Sequence, residues 1–230
     1  MTMIADNLQR VRARLEQACH ACGRDPAAVT LLAVSKTFSA DAVRQAHAAG
    51  QTAFGENYIQ EAVDKMAAMS DLPLIWHCIG PIQSNKTRLV AEHFDWAHTV
   101  DRLKVAERLS TQRPQEKQPL QVCLQVNIDG GANKSGVAPE QALALAREVA
   151  QLPGLVLRGL MTIPEPAPDF ATALAVHRQA RALFDDLRRA GLALDTLSMG
   201  MTADLEAAVH AGSTMVRVGT AIFGTRTTMT

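Results

Sequence analysis

The chain has 230 residues, 47% of them hydrophobic and 20% charged, enough for one large domain or two small ones of ordinary globular composition. Lysine plus arginine and aspartate plus glutamate balance at 23 each and aromatics make up only 4%, which excludes the basic field and stacking platform of a nucleic-acid binder. No stretch stays apolar and uncharged for the roughly 18 residues of a membrane span, and Asp6, Arg10, Arg12, Arg14 and Glu16 break any signal-peptide centre, so a cytoplasmic protein without a membrane partner is expected.

In residues 2–22, Ile4, Leu8, Val11, Leu15 and Ala18 follow the three-and-four spacing of an amphipathic helix, placed ahead of the first strand. Cys19-His20-Ala21-Cys22 has the spacing of half a zinc or redox site, but no second pair completes it and Gly23 reads as a helix stop, so no metal is expected. Short β-rich runs then appear at 30–35, 52–55, 74–79, 96–100, 120–127, 156–162, 195–199 and 215–218. Helical patterns at 39–49, 57–69, 84–93, 102–112, 139–151, 169–190 and 203–211 alternate with them, and a short last helix fits 220–224. Ser39 is a helix cap with Asp41 in the first turn; Gly50, Gly154, Gly191 and Gly212 mark helix ends, and Pro139 marks a start.

Eight such alternations mean either a closed parallel barrel or a doubly wound sheet. A dinucleotide-binding sheet would carry a glycine-rich turn after its first strand, yet Ser35-Lys36-Thr37-Phe38-Ser39 contains no glycine. The α/β class is therefore expected as a (β/α)8 barrel with an extra N-terminal helix. No linker divides it, so residues 1–230 read as a single domain, with residues 1–23 packing on the barrel.

Lys36 closes the apolar run Leu31-Leu32-Ala33-Val34-Ser35, at the strand ends where barrel enzymes keep their sites. An amine partly removed from water there becomes nucleophilic; the alternative is a lysine covering apolar surface. Ser198-Met199-Gly200-Met201-Thr202 and Arg217-Val218-Gly219-Thr220-Ala221 follow strands seven and eight, where such barrels bind phosphate. Both combine small residues and hydroxyls just before a helix, so that backbone amides can approach an anion. Thr202 either caps a helix beginning at Ala203 or presents its hydroxyl to phosphate. Arg217, between Val216 and Val218, needs an acidic partner across the barrel, or else it faces an anion or a ring nitrogen in the mouth. An amine, a phosphate cup and an inward arginine together describe a pyridoxal phosphate site: Lys36 forms the imine, the cup holds the phosphate, and Arg217 faces the pyridine nitrogen.

Val34-Ser35-Lys36-Thr37, Phe54-Gly55-Glu56-Asn57-Tyr58, the run from Trp76 to Lys86 and the tail from Ser198 to Gly224 resemble the pyridoxal phosphate homeostasis proteins over residues 4–226. The resemblance implies a barrel similar to the N-terminal domain of alanine racemase, with Lys36 holding pyridoxal 5'-phosphate as an internal imine and Arg217 at its ring nitrogen. It places Ser198, Gly200, Met201, Thr202, Gly219 and Thr220 around the phosphate, and Asn57 and His77 at the mouth. It also implies a carrier or regulator of intracellular vitamin B6, with apo-enzymes that use the cofactor as recipients and no established turnover. Three positions depart from the family pattern: Gly131 replaces a usual glutamate in the segment ending Lys134-Ser135-Gly136, Thr202 a common serine, and Phe38 a residue that is often polar.

Racemisation would need a base on each face of the substrate carbon. The chain's single tyrosine, Tyr58, is expected to pack on the helix after strand two, and no second domain is expected to supply another. An arginine at the ring nitrogen also weakens the ring as an electron sink. A carrier is therefore favoured over an amino-acid racemase, and both over an aldolase using Lys36 on a sugar phosphate. Charge spread along residues 171–189 favours a monomer.

Overall fold

The computed structural model describes residues 2–131 and 135–225. Helix α1 (Met3–Ala21) starts at Thr2, whose hydroxyl accepts the Ala5 amide, and buries Ile4, Leu8, Val11, Leu15 and Ala18. Its end is closed by Gly23, in the left-handed region at φ 69°, whose amide donates to His20 O. Four free cysteines, at 19, 22, 78 and 123, remain unbridged.

The strands are β1 (Thr30–Val34), β2 (Ala53–Glu56), β3 (Ile75–Cys78), β4 (Trp96–Val100), β5 (Leu120–Gln125), β6 (Leu155–Met161), β7 (Thr196–Ser198) and β8 (Met215–Val218). All pair in parallel and in chain order, and β8 returns to β1 through Leu31↔Val216 and Ala33↔Val218, so the expected barrel closes. Helices α2 (Ala40–Ala48), α3 (Ile59–Ala67), α4 (Thr87–His93), α5 (Leu103–Gln112), α6 (Ala142–Val149), α7 (Phe170–Arg189), α8 (Leu205–His210) and α9 (Thr220–Phe223) follow their strands. Ser39 caps α2 by accepting the Ala42 amide, as its position predicts. The large apolar core lies between strands and helices, whereas Leu32, Val34, Ala53, Ile79 and Met215 form a separate small cluster inside the barrel.

Two local expectations are corrected. The helix after β7 begins at Leu205, not Ala203, and Thr202 does not cap it. Asp204 takes the cap position; its Oδ1 accepts the Met201 amide at 2.7 Å while its own amide donates to Met201 O, and this closed turn delays the helix. Tyr58 does not pack on α3: it stands at the N-cap, 51% exposed, because Ile59, Ala62 and Lys65 form the buried face. The patterns at 84–93 and 139–151 both open with a 3-10 turn, Ser84–Lys86 and Pro139–Gln141, before the α-helix proper. No helix among the described residues is long and apolar enough to cross a membrane.

Candidate active site at the barrel mouth

Alternation along β1 carries Leu32 and Val34 into the barrel, and Lys36 follows in the turn just past the strand's end. The glycine of β2 makes room for the interior cluster: a Cβ on Gly55 would lie 3.0 Å from Ile79 Cδ1 and 3.2 Å from Leu32 Cδ2. Below the mouth the barrel holds a polar layer in place of the usual aliphatic one. His77, His98, Ser198 and Arg217 are all buried, and they form one hydrogen-bonded chain.

Arg217 Nη1 donates to Ser198 Oγ at 2.7 Å, and Nη2 donates to the Thr162 carbonyl at 2.8 Å. Ser198 Oγ lies 3.0 Å from His98 Nδ1, and His98 Nε2 lies 2.9 Å from His77 Nδ1. Arginine can only donate, so the serine hydroxyl accepts from it and can donate its own O–H to His98 Nδ1. With that tautomer His98 carries its proton on Nε2 and donates to His77 Nδ1. In this arrangement the chain is polarised from Arg217 to His77 with both rings neutral. Burial enforces this: it lowers His77 to about 3, and it lowers His98 well below 6.5, with His77 and Arg217 adding to the shift.

Arg217 itself has no carboxylate partner among the described residues, so the ion pair across the barrel is not made. Burial lowers its guanidinium to about 10, which still leaves it charged at neutral pH. A buried cation bound only by neutral oxygens is set for an electron-rich ligand group. Among the described residues, two buried oxygens just past the strand ends have no hydrogen-bond partner: Asn57 Oδ1 after β2 and Thr162 Oγ1 after β6.

The two loops expected to cradle phosphate stand beside Arg217. Gly200, at φ 93°, has its carbonyl bonded by the Arg217 amide, and a Cβ there would meet Ala208 Cβ at 2.4 Å. Gly219 backs onto β1, where a Cβ would lie 3.2 Å from Val34 O. Thr220 and Ala221 open α9, and the first amides of a helix have no carbonyl within it. Thr202 is half-buried in the same rim. Two residues differ from their expected role: Met201 gives its amide to Asp204 and exposes its side chain, and Ser198 belongs to the interior chain. His77 likewise lies beneath the mouth, 2% exposed.

Sequence reasoning missed His98, Thr162 and Glu56. His98 and Thr162 carry the same signal that singled out Arg217, a polar residue in or at the end of an apolar strand. Glu56 is a buried carboxylate in β2, paired with Lys65 of α3 at 2.6 Å. Phe38, which had no evident role, stacks on Phe223 of α9 with ring centroids 5.1 Å apart, tying the turn after β1 to the helix after β8. Lys134 lies outside the described residues.

Comparison with known proteins points the same way. The family model "Alanine racemase, N-terminal domain" matches residues 4–227. A pyridoxal phosphate homeostasis protein of Pseudomonas aeruginosa is 61% identical over 226 residues, covering 98% of this chain and 97% of its own. That of Escherichia coli K12 is 53% identical over 229 residues, covering 98% of each. The structure of PipY of Synechococcus elongatus with pyridoxal phosphate bound superposes with a TM-score of 0.84 at 40% identity, over 96% of this chain and all of that one. An alanine racemase of Clostridium difficile shares the fold, with a TM-score of 0.74 at 14% identity over 97% of this chain and 58% of its own.

Proposed function

Because this chain belongs to the pyridoxal phosphate homeostasis proteins, a family built on the alanine racemase N-terminal domain, we propose that it binds pyridoxal 5'-phosphate at the barrel mouth as a carrier in vitamin B6 homeostasis. The observation that carries the reading is Arg217: a buried, charged guanidinium whose hydrogen-bond partners among the described residues are the neutral oxygens of Ser198 and Thr162. When bound, the cofactor supplies an aldehyde that condenses with a primary amine, a ring nitrogen that accepts a hydrogen bond, and a phosphate. Lys36 provides the amine from the end of β1. Arg217 donates to the ring nitrogen and, being already charged, opposes its protonation. Gly200, Thr202, Gly219 and Thr220 bind phosphate through hydroxyls and amides, with Met201 completing the rim. Asn57 offers its unpartnered oxygen at the mouth. Ser198 and His77 act from below, through the chain that fixes the guanidinium. All of these residues come from one chain, so a monomer suffices.

Arg217→Gln should shift the absorption band of the bound cofactor and weaken binding by one to two decades, because a charge-assisted hydrogen bond contributes about 1.5–3 kcal/mol. A spectrophotometric titration checks this. An unchanged band and affinity would reduce Arg217 to a member of the interior chain.

Carrier and catalyst are separated by a second experiment. A racemase needs a second base, and the chain's one tyrosine stands half-exposed at the start of α3, which favours the carrier. With L- or D-alanine in heavy water, proton NMR should show α-deuterium incorporation no faster than free cofactor produces. The loaded protein should meanwhile restore activity to an apo-enzyme that depends on pyridoxal phosphate. Exchange at about 1 s⁻¹ or faster would overturn the carrier reading.

A further inference from the structure

The turn that carries Lys36 is held from the far side of the sheet by groups that belong to neither the amine nor the phosphate cup. Ser35 Oγ donates to Glu56 Oε1 at 2.6 Å, and Lys65 Nζ donates to the same oxygen at 2.6 Å and to Ser35 O at 2.9 Å. Lys65 Nζ also reaches Glu61 Oε1 at 3.2 Å, and that oxygen accepts the Thr37 amide at 2.7 Å. Residues 35 and 37, which flank Lys36, are thus tied through one ammonium to two carboxylates. Glu56 and Lys65 are buried, while Glu61 remains partly exposed.

Thr37 shows what the ties accomplish. Among the described residues it is the only one besides glycine with a positive φ, at 67°. A β-branched residue takes that conformation only when its surroundings impose it. The Glu61 carboxylate on its amide supplies the constraint, together with Phe38, whose amide donates to Ser35 O and whose ring stacks on Phe223. A buried ion pair is weak evidence for stability, and fixing one conformation is its better-supported use.

We propose that Lys65 and Glu61 are positioning residues for Lys36: by holding Ser35 and the left-handed Thr37, they aim the Lys36 amine at the bound aldehyde. The proposal rests on the reading of Lys36 as the residue that captures pyridoxal phosphate. Its prediction separates the covalent step from binding. Glu61→Ala should slow covalent capture by about tenfold or more, since small misplacements of a reacting group carry such penalties. Glu61→Gln, which keeps an acceptor for the Thr37 amide, should restore most of the rate. The affinity for pyridoxine 5'-phosphate, an alcohol that fills the same site but cannot link to an amine, should stay unchanged in both.

The experiment is stopped-flow absorbance with pyridoxal phosphate, alongside equilibrium binding of pyridoxine phosphate, on wild type, Glu61→Ala, Glu61→Gln and Lys65→Met. If Lys65→Met does not fold, the two Glu61 variants decide, because that side chain is 35% exposed and its replacement leaves the Glu56–Lys65 pair intact. A capture rate in Glu61→Ala equal to wild type, or a parallel loss of pyridoxine phosphate affinity, would overturn the proposal. Borohydride trapping on the wild type tells the two failures apart. A label on Lys36 with an unaffected Glu61→Ala rate rejects the positioning role alone. A wild type without label on Lys36 rejects the underlying reading and the proposal with it.

Discussion

Borohydride reduction of the protein loaded with pyridoxal phosphate should fix the cofactor irreversibly on the peptide containing Lys36, and Lys36→Ala should abolish that label altogether. Lys36 stands in the turn just past β1, whose inward row is Leu32 and Val34, and Gly219 and Thr220 stand next to it past the neighbouring strand β8. Removing the amine takes away the covalent link but leaves Arg217 and the loops, so the variant should still bind the cofactor reversibly and fold normally. Mass spectrometry of the digested, reduced protein provides the measurement. A label on Lys86, which sits in the 3-10 turn before α4, with Lys36 unmodified, would move the site elsewhere.

Acid should unfold the protein through its barrel interior. His77 has its pKa lowered by burial from 6.5 to about 3, and His98 is lowered well below 6.5 by burial, His77 and Arg217. Both rings are neutral in the folded chain, whereas the unfolded chain protonates them near 6.5. The folded state therefore binds fewer protons, and stability falls as pH falls. The contribution is whole above about 6.5 and is lost progressively from there toward about 3 for His77, at about 1.4 kcal/mol per pH unit for each such ring. Urea midpoints measured between pH 7.5 and 5 should decline more steeply for wild type than for His77→Gln. The amide cannot protonate in this range, so the variant removes one ring's share of the slope. Equal slopes would mean that His77 gains its proton without cost inside the fold.

The positions of Lys36, Gly200, Gly219 and Thr220 just past β1, β7 and β8 are legible in the sequence because strand ends are set by local punctuation. The same rule applied to Ser198 put it in the phosphate loop, but β7 runs through Ser198, and the side chain turns inward to Arg217 and His98. For Thr202 the sequence offers two roles, a cap for a helix at Ala203 or a hydroxyl for phosphate, since a threonine before an apolar run is ordinarily a cap. A carboxylate two residues later, able to accept the Met201 amide, moved the start of α8. Tyr58 was misplaced for a related reason: a shift of one residue on a helix turns a side chain from core to solvent.

The sequence by itself determined the order and kind of the elements, the barrel that eight alternations close, and the strand ends past which Lys36, Gly200 and Gly219 stand. These rest on periodicity, caps and glycines, which act over a few residues. Only the tertiary structure decided which polar groups meet. His98 and Ser198 are 100 residues apart and lie 3.0 Å from each other because closure of the barrel sets β4 across from β7. Arg217 ends on a hydroxyl and a carbonyl instead of a carboxylate, and Lys65 reaches back 30 residues to the carbonyl of Ser35. A buried polar group must find a partner, but composition offers many candidates. The choice among them follows from the register and closure of the sheet, which no local pattern encodes.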